Sequence, residues 1–177
     1  MTEYFHFSKK KWPVGQILSG SGKPHVDREV ERKIQATRPQ GKLLRDDAFY
    51  LVTKPDFTRL GLSGCGYIHK VKPLEAVQTH DAFWLGQLQA KHLLAKVRAR
   101  ANNANLDERV AAAAVKIDLT CKEICQKYWS GESSEKYWAG SPTWEVLTSR
   151  VEVIGYLSPD AVCVQDTKDG WRERPKG

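Results

Sequence analysis

The sequence predicts an α+β fold with a mostly antiparallel β-sheet, and two observations support this fold class. Strand-like segments come first, helical segments cluster in the middle of the chain, and strand-like segments return towards its end. No glycine-rich turn leads from a strand into a helix, which excludes a Rossmann dinucleotide site and a P-loop. A chain of 177 residues is long enough for a substantial core. We therefore expect a single domain over residues 1–177.

The first half of the chain predicts three strands and one helix. Short apolar or alternating segments indicate strands at 3–8, 48–53 and 66–72. Residues 26–37 carry charges on most faces and have Asp27 near their start, which predicts an exposed helix. Glycine and proline mark the loops between these segments.

The second half predicts two long helices followed by a group of strands. Residues 81–100 have apolar residues at helical spacing and a basic end. Residues 106–129 are rich in alanine and are followed by Gly131, so we expect one continuous helix there. These helices form an expected insertion of about 81–130, and the charged tail of about 167–177 is expected to be loose. Three further strands are predicted, at 144–147, 150–157 and 161–165.

The four cysteines are expected to be reduced thiols in a cytoplasmic protein. Cys121 and Cys125 lie four residues apart in a helical segment, which is not the usual spacing for metal binding. The five histidines form no tight cluster in the sequence, so we expect no metal site. The chain has no run of about 20 apolar residues and no basic-then-apolar N-terminal segment, so we expect neither a membrane span nor a secretory signal.

The net charge of +7 is concentrated in the N-terminal half of the chain. Residues 1–80 contain 14 basic and 8 acidic side chains, whereas residues 81–177 contain 14 and 13. A basic half favours an anionic partner such as nucleic acid, a nucleotide or a phosphorylated cofactor. A basic protein without a polyanionic partner is the alternative interpretation.

Three of the predicted strands each carry a polar residue that suggests a binding site. His6 and Ser8 lie on the same side of their strand, so they offer a ring nitrogen and a hydroxyl to a ligand such as a ribose. Tyr50 has a ring that can stack on a planar heterocycle. Glu145 is a carboxylate in an apolar strand, where it must be paired, exposed or chemically active. Each has a structural alternative: a histidine bonded to a backbone carbonyl, a core tyrosine and a solvent-exposed glutamate.

The same strands carry motifs that resemble those of a known family. The motifs are His6-Phe7-Ser8, Tyr50-Leu51-Val52-Thr53, the Gly-Tyr-Ile-His-Lys-Val-Lys-Pro segment at 66–73, and Trp144-Glu145-Val146-Leu147. Their order resembles the ADP-ribosyltransferases whose active site is His-Tyr-Glu, in particular rifampin ADP-ribosyltransferases and DNA-modifying bacterial toxins. The resemblance implies a split, mostly antiparallel sheet of the ADP-ribosyltransferase type with a helical insertion.

The resemblance implies an enzyme that transfers ADP-ribose from NAD⁺ to a macromolecular acceptor. In this interpretation Glu145 is the catalytic carboxylate that stabilises the oxocarbenium-like centre formed when the glycosidic bond breaks. Asp81 is the alternative for this acidic position. The pyrophosphate is held by Arg45 or by a lysine of 9–11. The implied NAD⁺-binding residues are His6, Ser8, Arg45, Tyr50 and Thr53.

The acceptor and two other functions stay open. The basic N-terminal half, with Tyr137 and Trp138 in a polar loop at 131–142, favours RNA or DNA as the acceptor, and a protein side chain or a small molecule is also compatible. One alternative function is a metal-independent ribonuclease toxin in which His6 and Glu145 are the acid and base. The other is a non-catalytic, basic nucleic-acid-binding module.

Overall fold

The computed structural model describes residues 2–20, 26–55, 64–100, 105–164 and 171–173. The chain forms two compact units. The first unit contains 2–20, 42–55, 64–79, 144–164 and 171–173. The second unit contains 26–41, 80–100 and 105–143. The described helical residues of the expected insertion, about 81–130, therefore belong to the second unit.

The first unit is built around an antiparallel sheet. The described strands are, in chain order, β1 Tyr4–Ser8, β2 Ile17–Ser19, β3 Phe49–Val52, β4 Gly64–Pro73, β5 Gln78–Asp81, β6 Trp144–Thr148, β7 Arg150–Tyr156, β8 Val162–Val164 and β9 Trp171–Glu173. Within the first unit the strand order is β2-β7-β4-β1-β3-β6, with β8 pairing to β4 and β9 pairing to β8. These neighbouring strands run antiparallel. The predicted α+β class with a mostly antiparallel sheet is confirmed.

The two faces of this sheet carry different residues because side chains alternate along each strand. Phe5 pairs with Val52, which in turn pairs with Glu145, so these three side chains lie on one face. His6 pairs with His69, and both lie on the opposite face. We call these two faces the glutamate face and the histidine face.

Each face has its own apolar core. The buried residues of the glutamate face are Phe5, Val52, Ile68 and Val162. Those of the histidine face are Phe49, Leu51, Val71, Val146 and Val151. Strand β3 therefore contributes to both cores, which explains why its sequence is apolar without alternation.

The second unit is helical. Its described helices are α1 Arg28–Ala36, α2 Ala82–Ala99, α3 Asn105–Ala114 and α4 Cys121–Ser130. Val30 and Ile34 lie one turn apart on α1 and are fully buried in a core shared with Trp84 and Trp129. The Trp129 indole also donates a hydrogen bond to the Ile34 carbonyl at 2.9 Å. The helices predicted at 26–37 and 81–100 are confirmed as α1 and α2. None of the described helices is long and apolar enough to span a membrane.

The single helix predicted over 106–129 is wrong, because α3 ends at Ala114 and α4 begins only at Cys121. The Gln87 side chain of α2 stabilises the segment between the two helices. Its amide nitrogen donates to the Ala114 carbonyl at 3.3 Å, and its amide oxygen accepts from the Lys116 backbone at 2.7 Å. Thr120 then starts α4 through a reciprocal capping box with Glu123. That threonine and glutamate, three residues apart, are the sequence signal for the second helix start.

Cys65 and Cys163 form a disulfide, so the prediction that all four cysteines are reduced is wrong. The two residues lie directly opposite each other in the β4–β8 pairing, a register that the sequence alone does not reveal. Cys121 and Cys125 are free thiols, and burial raises the pKa of Cys125. Disulfides persist mainly in oxidising compartments. The cysteines therefore no longer support the expected cytoplasmic location.

Candidate functional site

An arginine, a tyrosine and a glutamate meet on the glutamate face. The Arg45 guanidinium donates to both carboxylate oxygens of Glu145, with Nη1–Oε2 at 2.6 Å and Nη2–Oε1 at 3.4 Å. The Tyr50 hydroxyl donates to the Arg45 carbonyl at 2.8 Å, and its ring centre lies 5.0 Å from the guanidinium carbon. Arg45 is 1% and Glu145 5% exposed. We call these three residues the arginine–glutamate cluster.

The local sequence explains how this cluster forms. Residues Arg45–Asp47 make a 3₁₀ turn one residue before β3. The Arg45 carbonyl accepts a hydrogen bond from the hydroxyl of Tyr50 on that strand. Tyr50 and Val52 lie on the same face of β3, and Val52 is paired with Glu145 of β6. A buried carboxylate is unfavourable unless a cation pairs with it, and the two-point contact with Arg45 supplies that pairing.

Two histidines and a tryptophan form a second cluster on the histidine face. The Trp12 ring stacks on His6 at a centroid distance of 5.2 Å and lies tilted against His69 at 4.7 Å. The Trp12 backbone N–H donates to His69 Nε2 at 3.1 Å, while His6 Nδ1 lies 2.9 Å from the Tyr50 carbonyl oxygen. We call His6, Trp12 and His69 the histidine–tryptophan cluster. The three rings pack against one another as in an aromatic core. Two of the ring nitrogens, His6 Nδ1 and His69 Nε2, have hydrogen-bond partners.

A lysine and two tyrosines border this cluster. Lys11 Nζ lies 5.4 Å from the ring centre of Tyr67 and 5.1 Å from that of Tyr156, within cation–π range of both. The same ammonium donates to the Pro159 carbonyl at 2.7 Å, and the Tyr156 hydroxyl donates to the Trp12 carbonyl. Lys11 is exposed and the tyrosines are half-buried, so positive charge and aromatic rings are presented together.

His69 is fully buried, and this burial determines its charge. Burial lowers the pKa of His69 to about 4, with a smaller contribution in the same direction from Lys11. The ring is therefore neutral at pH 7, and because Nε2 accepts from Trp12, we assign the ring proton to Nδ1. A neutral imidazole with this tautomer acts as a structural acceptor for the Trp12 backbone.

The structure brings together only part of the predicted NAD⁺ site. Arg45, Tyr50 and Glu145 are in contact on the glutamate face. His6 and Ser8 lie on the histidine face, on the other side of the sheet, because they alternate with Phe5 and Phe7. Ser8 Oγ accepts from the Lys10 backbone at 3.1 Å. Strand order thus places the motif residues on adjacent strands, whereas side-chain alternation separates them by face.

The remaining predicted residues have separate positions. Thr53 directly follows β3 and is half-buried. Asp81 is fully buried at the start of α2, where its carboxylate accepts from the Phe83 backbone at 3.0 Å and the Ser134 backbone at 2.8 Å. These bonds give Asp81 a helix-capping role. Tyr137 and Trp138 are exposed in the second unit, as expected from their polar loop.

Sequence reasoning did not single out Trp12 and His69 as site residues. His69 lies in the predicted alternating strand at 66–72, and the alternation indicates on which side of that strand His69 lies. Its pairing with His6 depends on the β1–β4 register. Trp12 follows the basic run at 9–11, and its sequence position carries no signal of the stacking on two histidines.

No protein-family model matches this chain, and no curated protein matches it either. The family resemblance therefore remains one of short motifs. Function has to be inferred from the two clusters themselves.

Proposed function

We propose that this chain is an NAD⁺-dependent mono-ADP-ribosyltransferase with Glu145 as its catalytic carboxylate. The observation that supports it is that the three motif strands, distant in sequence, are consecutive in the sheet in the order β1-β3-β6. This order makes neighbours of Tyr50 and Glu145, the tyrosine and glutamate of the His-Tyr-Glu pattern. Arg45, which lies five residues before Tyr50, pairs with Glu145 from 100 residues away in sequence.

The residues of the arginine–glutamate cluster suit part of this reaction. When NAD⁺ binds, it supplies the ADP-ribosyl group and releases nicotinamide. A carboxylate already held in place, as Glu145 is by Arg45, stabilises positive charge at the breaking glycosidic bond without reorganising. The half-buried Tyr50 ring offers a stacking surface for the nicotinamide.

The geometry changes the roles expected for two residues. Arg45 makes a two-point contact with Glu145, so we assign it to positioning the carboxylate rather than to the pyrophosphate. His6 lies on the opposite face from the Tyr50 side chain, but its ring contacts the Tyr50 carbonyl. We therefore assign His6 to positioning strand β3, with no direct contact to the ribose.

The test is transfer of labelled ADP-ribose from NAD⁺ to separate RNA, DNA and protein fractions. Glu145→Gln keeps the shape of the side chain and is expected to lower transfer about 100-fold or more, the scale for losing one charge-stabilising group. Glu152→Gln is the matched control because Glu152 is a half-buried strand carboxylate on β7, and it is expected to retain activity. Full transfer by Glu145→Gln refutes the assignment.

A second measurement separates binding from chemistry. Tyr50→Leu removes the ring and is expected to weaken NAD⁺ binding by on the order of tenfold, whereas Tyr50→Phe keeps the ring and the affinity. Binding is read from the rise in melting temperature with NAD⁺, which needs no turnover. A melting temperature that ignores millimolar NAD⁺ contradicts the proposal for all variants at once.

One observation favours a second candidate, a non-catalytic nucleic-acid-binding module on the histidine face. Lys11 over Tyr67 and Tyr156, next to the exposed Lys9 and Lys10, combines charge with rings on which bases can stack. This candidate predicts RNA binding that weakens steeply with salt, without NAD⁺ consumption. Lys11→Met is expected to lower the salt slope by about one, and an unchanged slope contradicts this candidate.

The ribonuclease alternative is not supported by the geometry. It requires His6 and Glu145 to act on one substrate as acid and base. The two side chains point to opposite faces of the sheet, and the Glu145 carboxylate is paired with Arg45.

A further inference from the structure

A histidine and two carboxylates converge in the second unit, and none of the three belongs to either cluster described above. His92 of α2 places its Nε2 atom 3.0 Å from Glu29 Oε2 and 3.5 Å from Asp27 Oδ1. Asp27 and Glu29 come from the start of α1. One ligand atom from each of the three residues lies within 4.8 Å of the other two. These residues come from two helices that are more than 60 residues apart in sequence.

The histidine is the feature that distinguishes this group from an ordinary acidic helix start. Its side chain is 93% buried, since its exposed fraction is only 7%. Although Nε2 lies close to both carboxylates, it makes no hydrogen bond with any residue that the structure describes. A buried ring nitrogen that lies beside carboxylate oxygens but makes no hydrogen bond is poorly satisfied. A cation between these atoms satisfies all three residues.

We propose that Asp27, Glu29 and His92 bind a divalent first-row transition-metal ion, with Zn²⁺ as the reference ion. One imidazole nitrogen and two carboxylate oxygens form a donor set that such ions accept. Bonds of about 2.0–2.2 Å in a tetrahedral shell place neighbouring ligand atoms about 3.3–3.5 Å apart. The two distances from His92 Nε2 lie close to this separation. Three protein ligands leave at least one position open for water.

The surroundings of Asp27 support its role as a ligand. Its backbone N–H donates to Gln89 Oε1 at 3.1 Å, and its Oδ1 accepts from the Glu29 backbone at 2.8 Å, so the carboxylate is held in orientation.

Lys96 is the competitor of the metal ion at this site. Its ammonium lies 3.0 Å from Asp27 Oδ2 and 3.8 Å from Glu29 Oε2, so it supplies the positive charge that these carboxylates need. The Lys96 side chain is 36% exposed and the Glu29 side chain 52% exposed. The site is therefore open on one side, where the lysine can swing away as an ion enters.

The experiment titrates the full chain with Zn²⁺ by calorimetry and with Co²⁺ by visible absorption. One equivalent of metal is expected, and the bound Co²⁺ is expected to show ligand-field bands. His92→Gln, Glu29→Gln and Asp27→Asn are each expected to weaken Zn²⁺ binding at least tenfold, the scale seen even for outer-sphere partners. Asp27→Asn keeps a residue that caps α1 well, so its effect reports on the metal rather than on the helix. Asp118→Asn, an exposed carboxylate of the same unit, is the matched control.

A second variant tests the site in the opposite direction. Lys96→Met removes the competing ammonium and is expected to tighten Zn²⁺ binding about tenfold, because a like charge a few ångströms away disappears. Tighter binding in Lys96→Met together with weaker binding in His92→Gln supports the metal site. The proposal is overturned if the wild-type chain binds no Zn²⁺, if His92→Gln binds it as tightly as Asp118→Asn, or if Lys96→Met leaves the affinity unchanged.

Discussion

The glutamate face and the histidine face share strands β1, β3 and β4, yet they bury polar groups in opposite ways. On the glutamate face, Glu145 is buried as one half of a charged pair with Arg45. On the histidine face, His69 is buried in its neutral form, because burial lowers its pKa to about 4. One solution depends on a specific partner, whereas the other depends on removing the charge. The two faces therefore respond differently to mutation and to pH.

The comparison also shows what a sequence motif can and cannot specify. The order of the His, Tyr and Glu motifs corresponds to adjacent strands, because β1, β3 and β6 are neighbours. The same motifs do not specify on which face of the sheet each side chain lies. In β3 the residues Phe49 to Val52 are apolar throughout, so nothing in that segment indicates which side Tyr50 takes.

The largest effect is expected from breaking the charged pair of the glutamate face. Arg45→Met leaves the buried Glu145 carboxylate without its guanidinium, which is expected to lower the free energy of unfolding by about 3–5 kcal/mol. The double variant Arg45→Met/Glu145→Leu removes both charges and is expected to recover most of that loss. Urea unfolding measures both, with Lys72→Met as the exposed-lysine control. A change in Arg45→Met no larger than in the control contradicts the charged-pair interpretation.

The next largest effect concerns the disulfide that ties β8 to β4. Val162 of β8 packs in the glutamate-face core, so the Cys65–Cys163 bond helps to hold part of that core in place. Cys65→Ser/Cys163→Ser is expected to lower the free energy of unfolding by about 2–4 kcal/mol. Reductant is expected to destabilise the wild-type chain by a similar amount and to leave the double variant unchanged. Cys121→Ser, which removes a free thiol, is the control. Equal sensitivity of wild type and double variant to reductant contradicts the prediction.

Several parts of the structure were predictable from the sequence, for physical reasons that particular residues illustrate. Asp27 near the start of a segment with charges on most faces predicted α1, and residue alternation placed His6 and Ser8 on one side of β1. What the sequence did not specify depends on contacts between distant segments. The Cys65–Cys163 bond follows from the β4–β8 register, and the approach of His92 to Glu29 follows from how α1 and α2 pack. Local patterns carry no information about either.

On the histidine face, pH is expected to change the free energy of unfolding. This change is expected to be smaller than the losses from Arg45→Met and from removal of the disulfide. His69 has a pKa of about 4 in the folded chain and an ordinary value of 6.5 when unfolded. Between these values the unfolded chain binds more protons, so stability rises with pH across this window. The contribution is present above about pH 6.5 and is lost as the pH falls towards 4, with a loss of about 2 kcal/mol between pH 6.5 and about pH 4.5.

The control for this prediction must separate His69 from the carboxylates that also titrate at low pH. His69→Gln cannot take up a proton in this window, so its free energy of unfolding is expected to change less between pH 6.5 and 4.5 than that of the wild-type chain. Arg45→Met tests the other face, because its loss of stability is expected to persist at pH 7, where His69 is neutral. Parallel pH profiles for wild type and His69→Gln contradict the burial of a neutral imidazole. Divergent profiles locate the pH response on the histidine face and leave the charged pair as the main polar determinant of stability at neutral pH.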